Sequence, residues 1–134
     1  MPPDPRFFQG LRHFNDEDFY EAHEVWEDLW KDITAPERTF YQGLVQAAVA
    51  CHHYWRQSWS GMESLYQSAL FHLKPHLPSR DGVDLARFLD DFRAWYAVAS
   101  SDAGKSDPAL GGVFPKMRVV PGAEGPEGIA RGGP

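Results

Sequence analysis

The residues in this chain best suited to chemistry fall on two predicted helices. At about 100° per residue, His23 and Glu27 lie about 40° apart and one turn along, within reach of each other at the edge of an apolar arc formed by Ala22, Trp26 and Ile33. Tyr20, Glu24, Glu27 and Lys31 form the next stripe outward, with Glu21 and Asp28 on the far flank. On the following helix Gln42, Gln46, Val49 and His53 fall within about 60° of one another and make one longitudinal stripe. A buried amide or imidazole left without a partner costs about 1–3 kcal/mol, so this stripe needs hydrogen bonds from a neighbouring helix. The acids of the preceding helix are the candidates. If the two helices pack antiparallel, His23, Glu24 or Glu27 would meet Gln46 and His53 in a buried polar cluster.

Three kinds of chemistry suit such a cluster. His23, Glu27 and His53 have the donor types of a divalent metal site for zinc, iron or manganese, with His52, His72 or His76 as spare ligands. The spacing is not that of a di-iron bundle, which wants Glu-x-x-His on each of two helices; Glu21-Ala22-His23-Glu24 does not supply it, and the next helix has no carboxylate near its histidines. In an enzyme, for instance a metal-assisted hydrolase, Glu24 or Glu27 would act as base, with His23 and His53 as ligands or proton carriers. The third reading is a satisfied network that fixes helix register and holds no ligand. A phosphate-cradling glycine loop, a nucleophile elbow, a paired-cysteine zinc motif and a helical His-Glu-x-x-His are all missing from the sequence.

The elements that must position these side chains read as all-α. Asp4-Pro5 caps a first helix running to about His13, which Asn15 and Asp16 interrupt. A second helix spans about Glu17 to Asp32, with apolar residues at helical spacing from Phe19 to Ile33. A third, from about Glu37 to Arg56, carries almost no charge in its interior, so no side of it suits solvent and it is expected at the centre. A fourth runs from about Gly61 to Leu73 before Pro75 and Pro78, Asp81-Gly82 makes a turn, and a fifth opens on Asp84 and runs to about Val98. Short connections favour antiparallel neighbours, hence a compact bundle of about five helices over 1–99. Tyr54, Trp55 and Trp59 read as core and helix-end packing, and His13, His72 and His76 as surface or boundary histidines.

Beyond Ser100 the composition changes. Eight of the 12 glycines and five of the 11 prolines lie there, and helical periodicity stops. Residues 100–134 are expected as an extended or partly disordered Gly/Pro-rich arm, anchored by the stretch from Val113 to Val120 on this bundle or on a neighbouring subunit. The formal net charge of -6 argues against nucleic acid as a partner. Thr39 to Trp55 is the longest stretch without Asp, Glu, Lys or Arg, but Gln42, Gln46, His52 and His53 interrupt it, so a buried helix is expected and not a membrane span. The single cysteine, Cys51, sits in an apolar run and reads as a buried thiol, which with the absence of an export signal suggests a cytoplasmic protein.

The run Phe14-Asn15, then Phe19-Tyr20-Glu21-Ala22-His23-Glu24-Val25-Trp26-Glu27-Asp28-Leu29-Trp30, then Phe40-Tyr41-Gln42-Gly43-Leu44-Val45-Gln46-Ala47-Ala48 and His52-His53, resembles a bacterial and archaeal family known as domain of unknown function 309. The resemblance spans roughly residues 10 to 75. It implies a compact all-α domain in which His23, Glu24, Glu27, Gln42, Gln46 and His53 match motif positions, and it implies no activity. The chain departs from the family pattern where an Asn-x-Gly turn becomes Asn15-Asp16-Glu17 and where an Asn-Gly-like linker becomes Ser58-Trp59-Ser60-Gly61. The helix pair also resembles a tetratricopeptide hairpin in outline, with Ala22 as the small packing residue, but no 34-residue repeat follows. Three functions are therefore weighed: a binding or interaction module whose groove takes the tail or a neighbouring chain, including a second copy; a metal-assisted hydrolase or other enzyme using the polar cluster; and a structural protein whose network has no ligand.

Overall fold

A computed structural model describes residues 3–34 and 36–120. It contains α1 (Pro5–Asn15), α2 (Phe19–Lys31), α3 (Arg38–Trp55), α4 (Trp59–Leu73), a 3-10 turn (Lys74–His76), a two-stranded hairpin of β1 (Ser79–Arg80) and β2 (Val83–Asp84), α5 (Leu85–Ala99), and two short helices, α6 (Asp102–Ser106) and α7 (Pro108–Gly111). The all-α expectation is met, and the five long helices follow the apolar periodicity to within a turn. None of these helices is long and apolar enough to cross a membrane.

Local chemistry sets the boundaries. The Asp4 carboxylate accepts the Arg6 backbone N–H at 2.8 Å with Pro5 in the first turn, and the Asp84 carboxylate accepts the Arg87 N–H at 3.1 Å. Asp18, not Glu17, opens α2, because Glu17 sits in the left-handed region at φ 66. Only glycine takes that conformation without cost, so the chain carries a strained residue at this turn. Asp81 (φ 50) and Gly82 (φ 87) form the hairpin turn, which pairs Arg80 with Val83.

α3 lies between α2 and α4, and no residue from Phe40 to Tyr54 is exposed, as its charge-free interior requires. Cys51 is fully buried, and burial pushes its thiol well above the ordinary range. α1 closes on α2 through Trp26, whose indole N–H donates to the Phe7 carbonyl at 3.1 Å. A Cβ at Gly10 would collide with that indole.

The region after Ser100 differs from expectation. It first forms α6 and α7, each capped by a side chain: Gly104 N–H donates to Ser101 Oγ at 3.0 Å, and Ala109 N–H to Asp107 Oδ1 at 3.0 Å. Two of the glycines that suggested a loose tail permit close packing instead. A Cβ at Gly104 would strike the Val98 carbonyl, and one at Gly111 would strike the Gly104 carbonyl and Tyr54. The extended arm, residues 112–120, follows, with Phe114 and Met117 buried in the common core. The stretch from Val113 to Val120 is thus an anchor on its own chain; residues 121–134 of the expected arm lie outside the described residues.

Candidate functional site

The polar stripe of α3 exists, but it faces a different neighbour from the one expected. Gln46 Oε1 lies 2.8 Å from His72 Nδ1 on α4, and the same Nδ1 is 3.0 Å from the Ser68 carbonyl. A carbonyl can only accept, so Nδ1 carries the proton and His72 is held between the two oxygens. The His53 ring packs against Gly61, also on α4. His52, one residue or about 100° away, is the histidine turned to α2, where its ring and that of His23 flank Tyr20 at 5.8 and 5.6 Å. The expected meeting of His23, Glu24 and Glu27 with Gln46 and His53 is therefore replaced by two separate groups on opposite sides of α3.

On the α2 side His23 Nε2 is 3.7 Å from Glu27 Oε1, the one-turn pair read from the spacing. Glu24 is exposed and raises the Tyr20 hydroxyl's pKa by its negative charge and a hydrogen bond. Gln42 is half-buried on α3. The Nδ1 atoms of His23 and His53 are buried without a partner. Burial, reinforced by neighbouring positive charge, lowers the pKa of His52, and that of His53 likewise. Both are thereby favoured as neutral rings. Among the described residues no three His, Cys, Asp or Glu side chains are grouped closely enough to hold a metal, so the set His23, Glu27 and His53 is not assembled.

A more complete polar arrangement lies where the arm meets the helices. Asn15, at the end of α1, makes both hydrogen bonds that an amide can make to one residue of an extended chain: its Nδ2 donates to the Met117 carbonyl at 2.9 Å, and its Oδ1 accepts the Met117 N–H at 2.8 Å. Because one partner is a donor and the other an acceptor, the amide orientation is fixed. Lys116 Nζ donates to the Asn15 carbonyl and lies 3.4 Å from Glu17 Oε2. Three residues before Met117, the Phe114 ring enters an aromatic socket, with ring centroids 4.7 Å from Phe19, 5.9 Å from Tyr54, 5.6 Å from Trp55 and 5.7 Å from Trp95. At its far end the arm adds to the hairpin: Asp84 N–H donates to the Arg118 carbonyl at 2.8 Å, Val120 N–H to the Gly82 carbonyl at 2.7 Å, and Val119 bridges Val83 antiparallel. Tyr54 and Trp95 also hold the segment leading into the arm, donating to the carbonyls of Gly104 and Gly111.

Sequence reasoning placed the anchor but missed its receptor. Asn15 reads locally as a helix stop, and nothing in its neighbourhood announces a partner 102 residues away. The signal was the apolar pattern of the arm itself.

Residues 7–65 match the family model described as Domain of unknown function (DUF309). This segment is similar to DUF309 domains. It covers all but the first residues of α1, then α2, α3 and the start of α4, and so contains the polar stripe and, of the arm's receptor, Asn15, Phe19, Tyr54 and Trp55. Trp95, the hairpin and the arm lie outside it. The chain is also similar to "Uncharacterized protein YpuF" of Bacillus subtilis (strain 168), at 32% identity over 82 residues. That match covers 59% of this chain and 47% of the relative, so it spans about half of the relative's length.

Proposed function

We propose that this protein is a binding module whose DUF309-like helices receive an extended peptide segment, a place its own arm fills. The observation that supports this reading is the double hydrogen bond of Asn15 to the Met117 backbone beside the socketed Phe114 ring. A main-chain contact supplies affinity independent of sequence, and a side-chain pocket supplies selectivity, which is the division of labour in strand-type peptide recognition. The pairing of Val119 with the edge of β2 continues the same mode. A second copy of this chain carries the same segment, so the self-association expected from sequence would use these contacts in trans.

The test keeps the folded chain. A protease site inserted between Gly112 and Val113, where Val113 is 68% exposed, allows the arm to be cut after folding. A fluorescent peptide of residues 112–120 is then added in excess. Saturable binding that is lost when the peptide carries Phe114→Ala supports the reading. No exchange, or equal binding of both peptides, refutes it.

A further inference from the structure

The place that holds the arm carries a charge as well as a shape. Asn15 is the last residue of α1, so its carbonyl belongs to the helix-end acceptors that no amide of the helix can reach. The Lys116 ammonium donates to that oxygen and lies 3.4 Å from Glu17 Oε2. A carboxylate and the negative end of a helix therefore face the same cation. With its side-chain contacts to Met117, Asn15 engages consecutive residues of the arm, Lys116 through charge and Met117 through the backbone.

Glu17 is held at this turn at a cost. Glycine would take φ 66 without strain, yet the residue there is a glutamate, and its carboxylate is the group that lies against Lys116. Asp16 and Asp18 flank it, so the turn is acidic throughout and would repel an anion standing where Lys116 stands. Along the arm Phe114, Pro115 and Met117 are buried while Val113 and Arg118 are exposed, which leaves Lys116 as a half-buried charge between apolar anchors. Pro115 brings no backbone N–H into that buried stretch.

We propose that the receptor is selective for extended peptides in which a cationic residue stands two places after an aromatic anchor and directly before an apolar one, the order of Phe114-Pro115-Lys116-Met117 in the arm. The inference rests on the binding-module reading and names the partner's chemistry: a basic, aromatic-led segment of another protein, taken up by a chain of formal net charge -6. The aromatic socket sets where the segment sits, and the end of α1 with Glu17 rejects a neutral or acidic residue at the third position.

The folded chain, cut between Gly112 and Val113, is titrated with labelled peptides of residues 112–120: the parent, Lys116→Gln, Lys116→Glu and Phe114→Ala. Lys116→Gln should weaken binding at least about fivefold, about 1 kcal/mol, and Lys116→Glu further. In a receptor carrying Glu17→Gly the ratio of parent to Lys116→Glu affinity should shrink at least about threefold, while the urea midpoint of the helical body does not fall, because glycine relieves the strain. Parent binding with a smaller loss for both Lys116 peptides overturns the selectivity and leaves the receptor reading in place. An undiminished ratio in the Glu17→Gly receptor also overturns the charge reading. Absence of parent binding, or equal binding of Phe114→Ala, which keeps the charge, overturns both.

Discussion

The two polar regions of the helical body are built to different standards. Between α2, α3 and α4 the polar side chains make scattered pairs: a 3.7 Å His23–Glu27 contact, a His72 bridge to Gln46, and ring nitrogens of His23 and His53 without partners. Where the arm meets α1, both polar atoms of the Asn15 amide are satisfied at 2.8 and 2.9 Å by a residue 102 positions away, next to a ring held by four aromatic neighbours. The first pattern is what helices need to keep their register. The second has the geometry with which proteins hold peptides. The histidines and glutamates drew attention as carriers of chemistry, while the better-formed contact belongs to an asparagine at a helix end.

The sharpest way to widen this contrast is Phe114→Ala. Removing a buried phenylalanine ring costs about 3–5 kcal/mol. That loss should undock the arm, so that the amides of Met117 and Val120 exchange freely while the interior amides of α3 stay protected. Asn15→Ala comes next. It leaves the Met117 N–H and carbonyl without partners, at about 1–3 kcal/mol, and should weaken arm protection and the exchange peptide alike, with the near-ultraviolet signature of the helical body retained. His23→Ala should change the unfolding free energy from urea titration by less than about 1 kcal/mol, because a long, partly exposed His–Glu pair contributes little. A His23 effect larger than that of Asn15 would invert the comparison.

The smallest effect is a pH dependence. Burial holds His52, His53 and His76 below the ordinary histidine pKa of 6.5. With the folded pKa lowered, the unfolded chain takes up protons first, so their contribution to stability is fully present above 6.5 and declines as pH falls through the lower folded values. Urea midpoints between about pH 7.5 and pH 5.5 should therefore fall, and His53→Gln should flatten the slope.

Much of the fold was legible because its signals are local. Apolar residues at helical spacing gave five helices, and Asp4, Asp84 and Asp81-Gly82 gave caps and a turn. The longitudinal stripe of Gln46 and His53 was also legible as a stripe, but which neighbour it faces depends on how α3 is rotated between α2 and α4. A single residue step of about 100° decides that His52 and not His53 meets Tyr20. Gly104 and Gly111 were read as looseness, since close backbone approach leaves no mark in composition. The receptor for the arm was illegible for a related reason: Asn15 and Met117 meet only once the helices have assembled.

Native-state hydrogen exchange across low urea concentrations on the intact chain tests the binding-module reading most directly. A segment held as a ligand opens by itself, so the amides of Met117 and Val120 should exchange with a smaller free energy and a weaker urea dependence than those of Leu44 and Ala47 in α3. If arm and α3 amides instead merge into a single opening with the same free energy and the same urea dependence, the arm is an inseparable part of the core, and the helices are not its receptor.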